Sequence, residues 1–289
     1  MKGEGQAIAH GAVTILNAFA TGKGGALGID LWTRAHVALR EGSGEIIGTE
    51  LDSKDQNKLS VTVARRIIEH FGYRERVSGK VTTKSNIPLA VGLKGSSAAA
   101  NAVALATASA LGENVDDDAL LGIGIEASME CGTSLTGAYD DSYASYHGGA
   151  VITDNELRKV QKIIKLPRNV EILILVPERK RFTGSLDRSR FSSIRSISEI
   201  AYEQALKGKI WEALTLNGLA VSAVLGEDPS PALSAIQAGA LGSGLTGKGP
   251  ALVAVAEDEM SGKVRQSLSK FDGQILETKP NFSKAVIES

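Results

Sequence analysis

Gly92, Gly95, Ser96 and Ser97, followed by small apolar residues as far as Leu111, are the stretch of this chain whose residue types most directly imply chemistry. Glycines admit φ > 0 and let backbone N–H groups come close to a ligand. A helix opening at the serines directs its unpaired N–H groups into the glycine loop, where about half a positive charge favours an anion. The two hydroxyls can cap that helix or ligate a cation. The run Ala98-Ala-Ala-Asn-Ala-Val-Ala leaves a thin helix surface, suited to close packing under a bulky ligand. An ordinary Gly-Ser helix start is the plainer alternative; the reading favoured here is a phosphate cradle.

Carboxylates are the next candidates. Asp140 and Asp141 sit in a glycine-flanked loop, and the SYASYHGG that follows is uncharged, although adjacent aspartates are most often a solvated turn. Glu126 and Glu130 share one helix face, for which a salt-bridged surface is the plainer reading. One carboxylate, a serine hydroxyl and phosphate oxygens would satisfy Mg²⁺, which takes few protein oxygens and keeps waters. His10, His36, His70 and His147 show no metal-ligand spacing, and nothing forms a Ser-His-Asp arrangement. The basic run from Arg179 to Arg195 would serve an acidic substrate if it faced the site, because Arg pairs bidentately with carboxylate.

Gly242-Ser-Gly-Leu-Thr-Gly247 spells a dinucleotide fingerprint and, with Lys248, most of a Walker A loop. The first needs a strand before it and a helix after it; here a helix precedes and the strand ALVAVA follows. The second needs Ser or Thr after its lysine, and this chain has Gly249. The better reading is a second backbone wall of one phosphate site.

These groups need elements to hold them. Strands are expected over residues 6–16, 26–39, 45–49, 77–87, 143–153, 157–166 and 170–177, and helices over 52–72, 115–130, 192–206, 210–225, 231–240 and 258–271. Asp52 or Ser53 is the expected cap of the first helix and Asn114 of the one before Cys131. Strands and helices mix without strict βαβ alternation, which argues for two α+β domains, 1–155 and 156–289. A chain of 289 residues with net charge −1 shows no basic domain or stripe of a nucleic-acid binder. Its single cysteine, Cys131, excludes a disulfide framework. Neither a signal peptide nor a membrane span is legible, so a cytoplasmic setting is expected.

Three segments together resemble the GHMP small-molecule kinases. Pro88-x-x-x-Gly92-Leu93-Lys94-Gly95-Ser96-Ser97-Ala98 resembles their central phosphate motif, Asp141 ahead of Gly148-Gly149 their catalytic aspartate, and Leu245-Thr-Gly-Lys-Gly-Pro-Ala their C-terminal glycine motif. Most members read Gly-Leu-Gly-Ser-Ser, so Lys94 is an extra residue; the archaeal shikimate kinases carry such a Gly-Leu-Lys loop, and TILNAFATGKGGALGIDL and LTGAYDDSYASYHGG are also similar to that group. The resemblance implies the two-domain GHMP fold, with an N-terminal domain like the second domain of ribosomal protein S5 and a C-terminal α/β sandwich. It implies phosphorylation of shikimate by ATP with Mg²⁺, a homoserine or mevalonate kinase being the alternative. Pro88, Gly92, Leu93, Lys94, Gly95, Ser96, Ser97 and Ala98 would then hold ATP. Ser97 and Glu126 would bind the metal, with Glu130 open as the second choice of carboxylate. Asp141, with Asp140 next to it, would accept or orient the substrate hydroxyl. Lys23, Thr21, Arg179, Arg181, Thr246 and Gly247 would stand on the substrate side. Where mevalonate-type members carry a lysine in the first motif, this chain has Ala12, so Lys23 or another cation must fill that place.

Overall fold

The computed structural model describes residues 2–49, 54–134, 137–167, 169–178 and 188–288. Two sheets organise them. The larger has seven strands, built on the antiparallel pair β1 (Lys2–Leu16) and β2 (Lys23–Glu41). The second half of β2 pairs with β4 (Val77–Ser85), which carries β3 (Ile46–Thr49) on its far side. The first half of β2 pairs instead with β5 (Ala150–Asp154), and β5 with β6 (Lys159–Ile164). The smaller sheet has four strands in the order β10 (Gln274–Thr278), β7 (Val170–Val176), β9 (Leu252–Glu257), β8 (Gly242–Leu245). The chain finally returns as β11 (Val286–Glu288) to the edge of β1.

Helices α1 (Lys54–His70), α2 (Gly95–Leu111), α3 (Asp117–Glu130) and α4 (Tyr139–His147) belong to the first half of the chain. Helices α5 (Arg195–Leu206), α6 (Ile210–Leu225), α7 (Ser230–Gln237) and α8 (Asp258–Leu268) belong to the second. The 17-residue α2 is buried over most of its surface, which explains its alanine-rich, all-round apolar composition. It lies unusually close to β1: a Cβ on Gly3 would overlap the carbonyl oxygen of Ala110, and one on Gly5 that of Ala106. Small residues on both partners permit that approach, and it fixes the angle at which the start of α2 is presented.

Two local expectations are corrected. Residues 143–153 are not one strand: Tyr139–His147 form α4, and β5 begins only at Ala150. The alternating polar-apolar pattern there is equally compatible with a short helix, and Asp140 and Asp141 in its first turn favour the helix dipole. Packing decides it, since Asn101 Nδ2 of α2 donates to the Ser142 carbonyl at 3.0 Å. The cap of α3 is Asp116, whose side chain accepts from Ala119 N at 2.9 Å; Asn114 stands outside the helix. Asp52 and Ser53, the expected caps of α1, lie outside the described residues.

Candidate active site

Between β4 and α2 the chain curls tightly. Ala90, Gly92 and Lys94 all take left-handed backbone angles, with φ of 58°, 98° and 61°. Ile87, Val91 and Leu93 anchor the loop in the core beneath it. Helix α2 begins at Gly95, so Ser96 and Ser97 lie within its first turn and do not cap it. The cap position is Lys94, which makes no side-chain cap hydrogen bond, and no acidic residue stands in the first turn. The first N–H groups of a long helix are thus left to an outside acceptor, and an anion of phosphate type fits them.

The opposite wall is the turn after β8. Thr246 Oγ1 donates to the Gly92 carbonyl (3.0 Å) and accepts from Thr14 N (3.0 Å), while Gly247 N donates to Thr14 Oγ1 (2.8 Å). Asn17 Nδ2 donates to the Gly247 carbonyl (2.9 Å), and Ala251 N to that of Val91 (3.1 Å). Three segments far apart in sequence therefore close on one place, as expected of a second backbone wall. The hydroxyl of Thr246 is consumed in holding that wall together.

Asp141 faces both walls. Its Oδ1 lies 3.0 Å from Lys94 Nζ, and the two side chains are only 15% and 10% exposed. The same Oδ1 is buried without a hydrogen-bond partner among the described residues, so the pair meets as charges and leaves an acceptor open. Behind it Asp140 is clasped by Asn155: Asn155 Nδ2 donates to Asp140 Oδ1 (2.7 Å) and Asp140 N donates to Asn155 Oδ1 (3.2 Å). Gly24 of β2 makes room, since a Cβ there would run into the Asp140 carboxylate. Burial, and next the charge of Asp141, push the Asp140 carboxyl up to about 7 against the opposing influence of Lys94 and Asn155. Lys248, in the glycine turn, is pulled down to about 8 by burial and then by the Lys94 charge, with Asp141 opposing. Two lysines thus converge on one aspartate, with a second carboxyl of raised proton affinity at its back.

This arrangement makes a prediction for stability. The folded chain holds the Asp140 proton more tightly than an unfolded chain with the ordinary value of 3.8. The stabilisation is therefore complete below the ordinary carboxylate range and is lost as pH rises toward about 7. Melting temperatures of the wild type should fall between pH 4.5 and 7.5 more steeply than those of Asp140→Asn, in which the Asn155 contact survives without a titrating group. Parallel curves would show that Asp140 does not carry the dependence.

The remaining expected residues are scattered. Pro88 and Ala98 flank the loop, the former half-buried and the latter buried. Lys23 stacks its ammonium over the Tyr202 ring at 4.7 Å, and Thr21 Oγ1 accepts from Lys23 N at 3.2 Å. Because neighbouring residues of a strand point to opposite faces, Gly24 against Asp140 turns Lys23 away from that carboxylate. Glu126 is held by Arg66 (3.3 Å) and Arg158 (3.4 Å), and Glu130 by Arg66 (2.7 Å), so a metal drawing on either would have to compete with an arginine. Arg179 and Arg181 lie outside the described residues. Lys94, expected among the residues that hold ATP, is also the partner of Asp141, and the side chains of Lys248, Asn155, Thr14 and Asn17 escaped the sequence reading. Lys248 stood in a recognised glycine motif and could have been found; Asn155 carried no local signal.

Residues 58–149 match the family described as the GHMP kinases N terminal domain. The chain is similar to the shikimate kinase of Methanosarcina acetivorans, 39% identical across 99% of this chain and 97% of that one. It is also similar to the shikimate kinase of Thermococcus kodakarensis, 41% identical across 88% and 92%. Among solved structures, homoserine kinase from Cytophaga hutchinsonii superposes with a TM-score of 0.78 over 100% of this chain and 98% of that one, at 18% identity. L. major mevalonate kinase does so with a TM-score of 0.72 over 98% of each chain, at 14% identity, a likeness of fold alone. The chain belongs to the GHMP kinases, with the two-domain fold of that family and ATP as phosphoryl donor. Within that family, these relatives of nearly full length are archaeal shikimate kinases.

Proposed function

We propose that this chain transfers the terminal phosphoryl group of ATP to a hydroxyl of shikimate, releasing shikimate 3-phosphate and ADP. The observation that carries the reading is the open, buried Asp141 Oδ1 beside Lys94 and the uncapped start of α2. Phosphoryl transfer asks a protein chiefly to position groups and to stabilise charge. The residues from Pro88 to Ala98 wrap the ATP phosphates, their N–H groups meeting the negative oxygens. Asp141 orients the attacking hydroxyl and receives its proton as the new O–P bond forms and the bond to the ADP oxygen breaks; Asp140 is the second choice for that role. Thr21, Lys23, Arg179, Arg181, Thr246 and Gly247 belong to the substrate side in this reading. The proposal divides the chain near residue 155, with β6 and β11 crossing back as straps onto the larger sheet.

Mg²⁺, when bound, neutralises phosphate charge and fixes phosphate geometry. The Ser97 hydroxyl and one carboxylate of α3 are its proposed ligands, an adequate set for an ion that retains waters. Glu126 is the first candidate and Glu130, one turn on, the alternative. Of Glu126→Gln and Glu130→Gln, the variant that raises the Mg²⁺ concentration for half-maximal activity by about tenfold or more identifies the ligand. No shift in either would remove α3 from the metal site.

The test of the whole reading is coupled ADP release with shikimate, homoserine and mevalonate in parallel, each with and without Mg²⁺. Turnover confined to shikimate supports it. Turnover of homoserine or mevalonate alone replaces it with the corresponding sister kinase, and ATP binding with no turnover on any of the three replaces it with a nucleotide-binding regulator.

A further inference from the structure

We propose that Lys94 works through its side chain as the cation that holds Asp141 for reaction, taking the place of the lysine that mevalonate-type relatives carry in their first motif. The inference deepens the kinase reading above and rests on it for the reaction, though not for the ion pair.

The residue that stands at the first-motif position here is Ala12, which is fully buried and cannot reach any ligand. Its backbone nevertheless joins the phosphate loop, since Ala12 N donates to the Leu93 carbonyl at 3.3 Å. The residue following Leu93 is Lys94, so the inserted lysine starts from beside the place where the family's lysine would start. Its ammonium ends 3.0 Å from Asp141 Oδ1. On its other side is the glycine turn, where a Cβ on Gly247 would come within 3.1 Å of Lys94 Nζ. The glycine turn thus lies directly against that ammonium.

The backbone supports the same conclusion. Lys94 has φ 61° and ψ 29°, a left-handed conformation that glycine adopts freely and that lysine adopts only under strain. The lysine at this strained position makes no capping hydrogen bond, and its far end meets Asp141 instead. The other cations do not replace it. Lys23 is engaged with Tyr202. Lys248 stands near enough for the Lys94 charge to depress it.

The charged and polar groups around Asp141 are Asp140 on α4, Lys94 ahead of α2, Lys248 between β8 and β9, and Asn155 after β5; Gly24 of β2 brings no charge. Lys94 is a positioning residue: it holds the carboxylate aimed, and the hydroxyl proton passes to Asp141.

Lys94→Gly and Lys94→Met separate this role from folding. Both variants leave Asp141 without its ammonium, but glycine alone relieves the left-handed strain, so Lys94→Gly should melt above Lys94→Met. Both variants should nevertheless lose about 100-fold in kcat with shikimate, while KM for ATP stays within about threefold. The acid limb of the pH–rate profile should move to higher pH, and added propylammonium should restore part of the activity of Lys94→Gly but not of Lys94→Met. Independently of turnover, ¹³C-carboxylate NMR should show the Asp140–Asp141 pair titrating at higher pH in Lys94→Met. Activity within a few-fold of wild type, or a rise in KM for ATP with kcat intact, would overturn the proposal by making Lys94 a bystander or a phosphate contact. So would an unmoved carboxylate titration. A wild type inert toward shikimate would defeat the kinase reading instead, and the titration would still decide the role of Lys94.

Discussion

Asp141→Asn should turn over shikimate at least about 100-fold more slowly than the wild type, within the range for acid–base groups. The amide that replaces the carboxylate is nearly isosteric, so the α4 backbone and the wall of the site should persist. What disappears is a negative charge and a proton acceptor. The charge is opposite Lys94 at 3.0 Å, in a place where both side chains are mostly hidden from water. Removing one member of such a pair leaves the other buried without compensation, a costly outcome. Lys248 also loses the one influence that opposes its depressed proton affinity, so it should shed its proton at lower pH still. The loss should fall on kcat more than on KM for ATP, because the proposed place of the nucleotide phosphates is the loop and the start of α2. Steady-state kinetics with both substrates varied would measure this, and near-normal turnover of Asp141→Asn would remove the residue from the mechanism.

Gly92→Ala should be a severely damaging addition of a single methyl group. Gly92 has φ 98°, where an L side chain is strained. The added Cβ would also be driven into the Thr246 carbonyl, which is backbone and cannot swing aside. The carbonyl of Gly92 is meanwhile the acceptor for Thr246 Oγ1, so the clash falls on the contact that joins the phosphate loop to the C-terminal turn. Strain and overpacking together should cost on the order of 3 kcal/mol. Denaturant titration should show that loss, and KM for ATP should rise by about tenfold or more, since a displaced loop no longer aims its N–H groups. An unchanged unfolding midpoint together with an unchanged KM would mean that the two walls are not clasped at Gly92. Gly95→Ala is the useful control: its Cβ would meet only Ile87, at ordinary contact distance.

How far the site could be read in advance depends on the range of the interactions that make it. The glycine loop, the long helix behind it and the glycine turn were all legible, because each is a local pattern of small residues with few conformational alternatives. The aspartates were legible as candidates, yet their element was misassigned. Tyr139–His147 has no strong helical periodicity, and it becomes a helix because α2 and the sheet hold it. Lys23 looked like a cation for the site on proximity in sequence, and the two-residue period of β2 turned it toward Tyr202. Glu126 looked like a metal ligand on family grounds, and Arg66 and Arg158, from distant segments, hold its carboxylate.

From the order of its residues alone, this chain determined its class, the glycine loop that opens α2 and the pair of aspartates proposed to work beside it. Each of those is encoded within a dozen or so neighbouring residues, where backbone sterics and helix dipoles act. Only the folded chain decided which cation meets Asp141, which carboxyl is pushed to hold its proton, and which polar side chains clasp the two walls. Those outcomes follow from burial and from charges brought together across 47 positions between Lys94 and Asp141 and 232 between Thr14 and Thr246. Coulomb forces and desolvation depend on distance through space, and distance along the chain does not predict it.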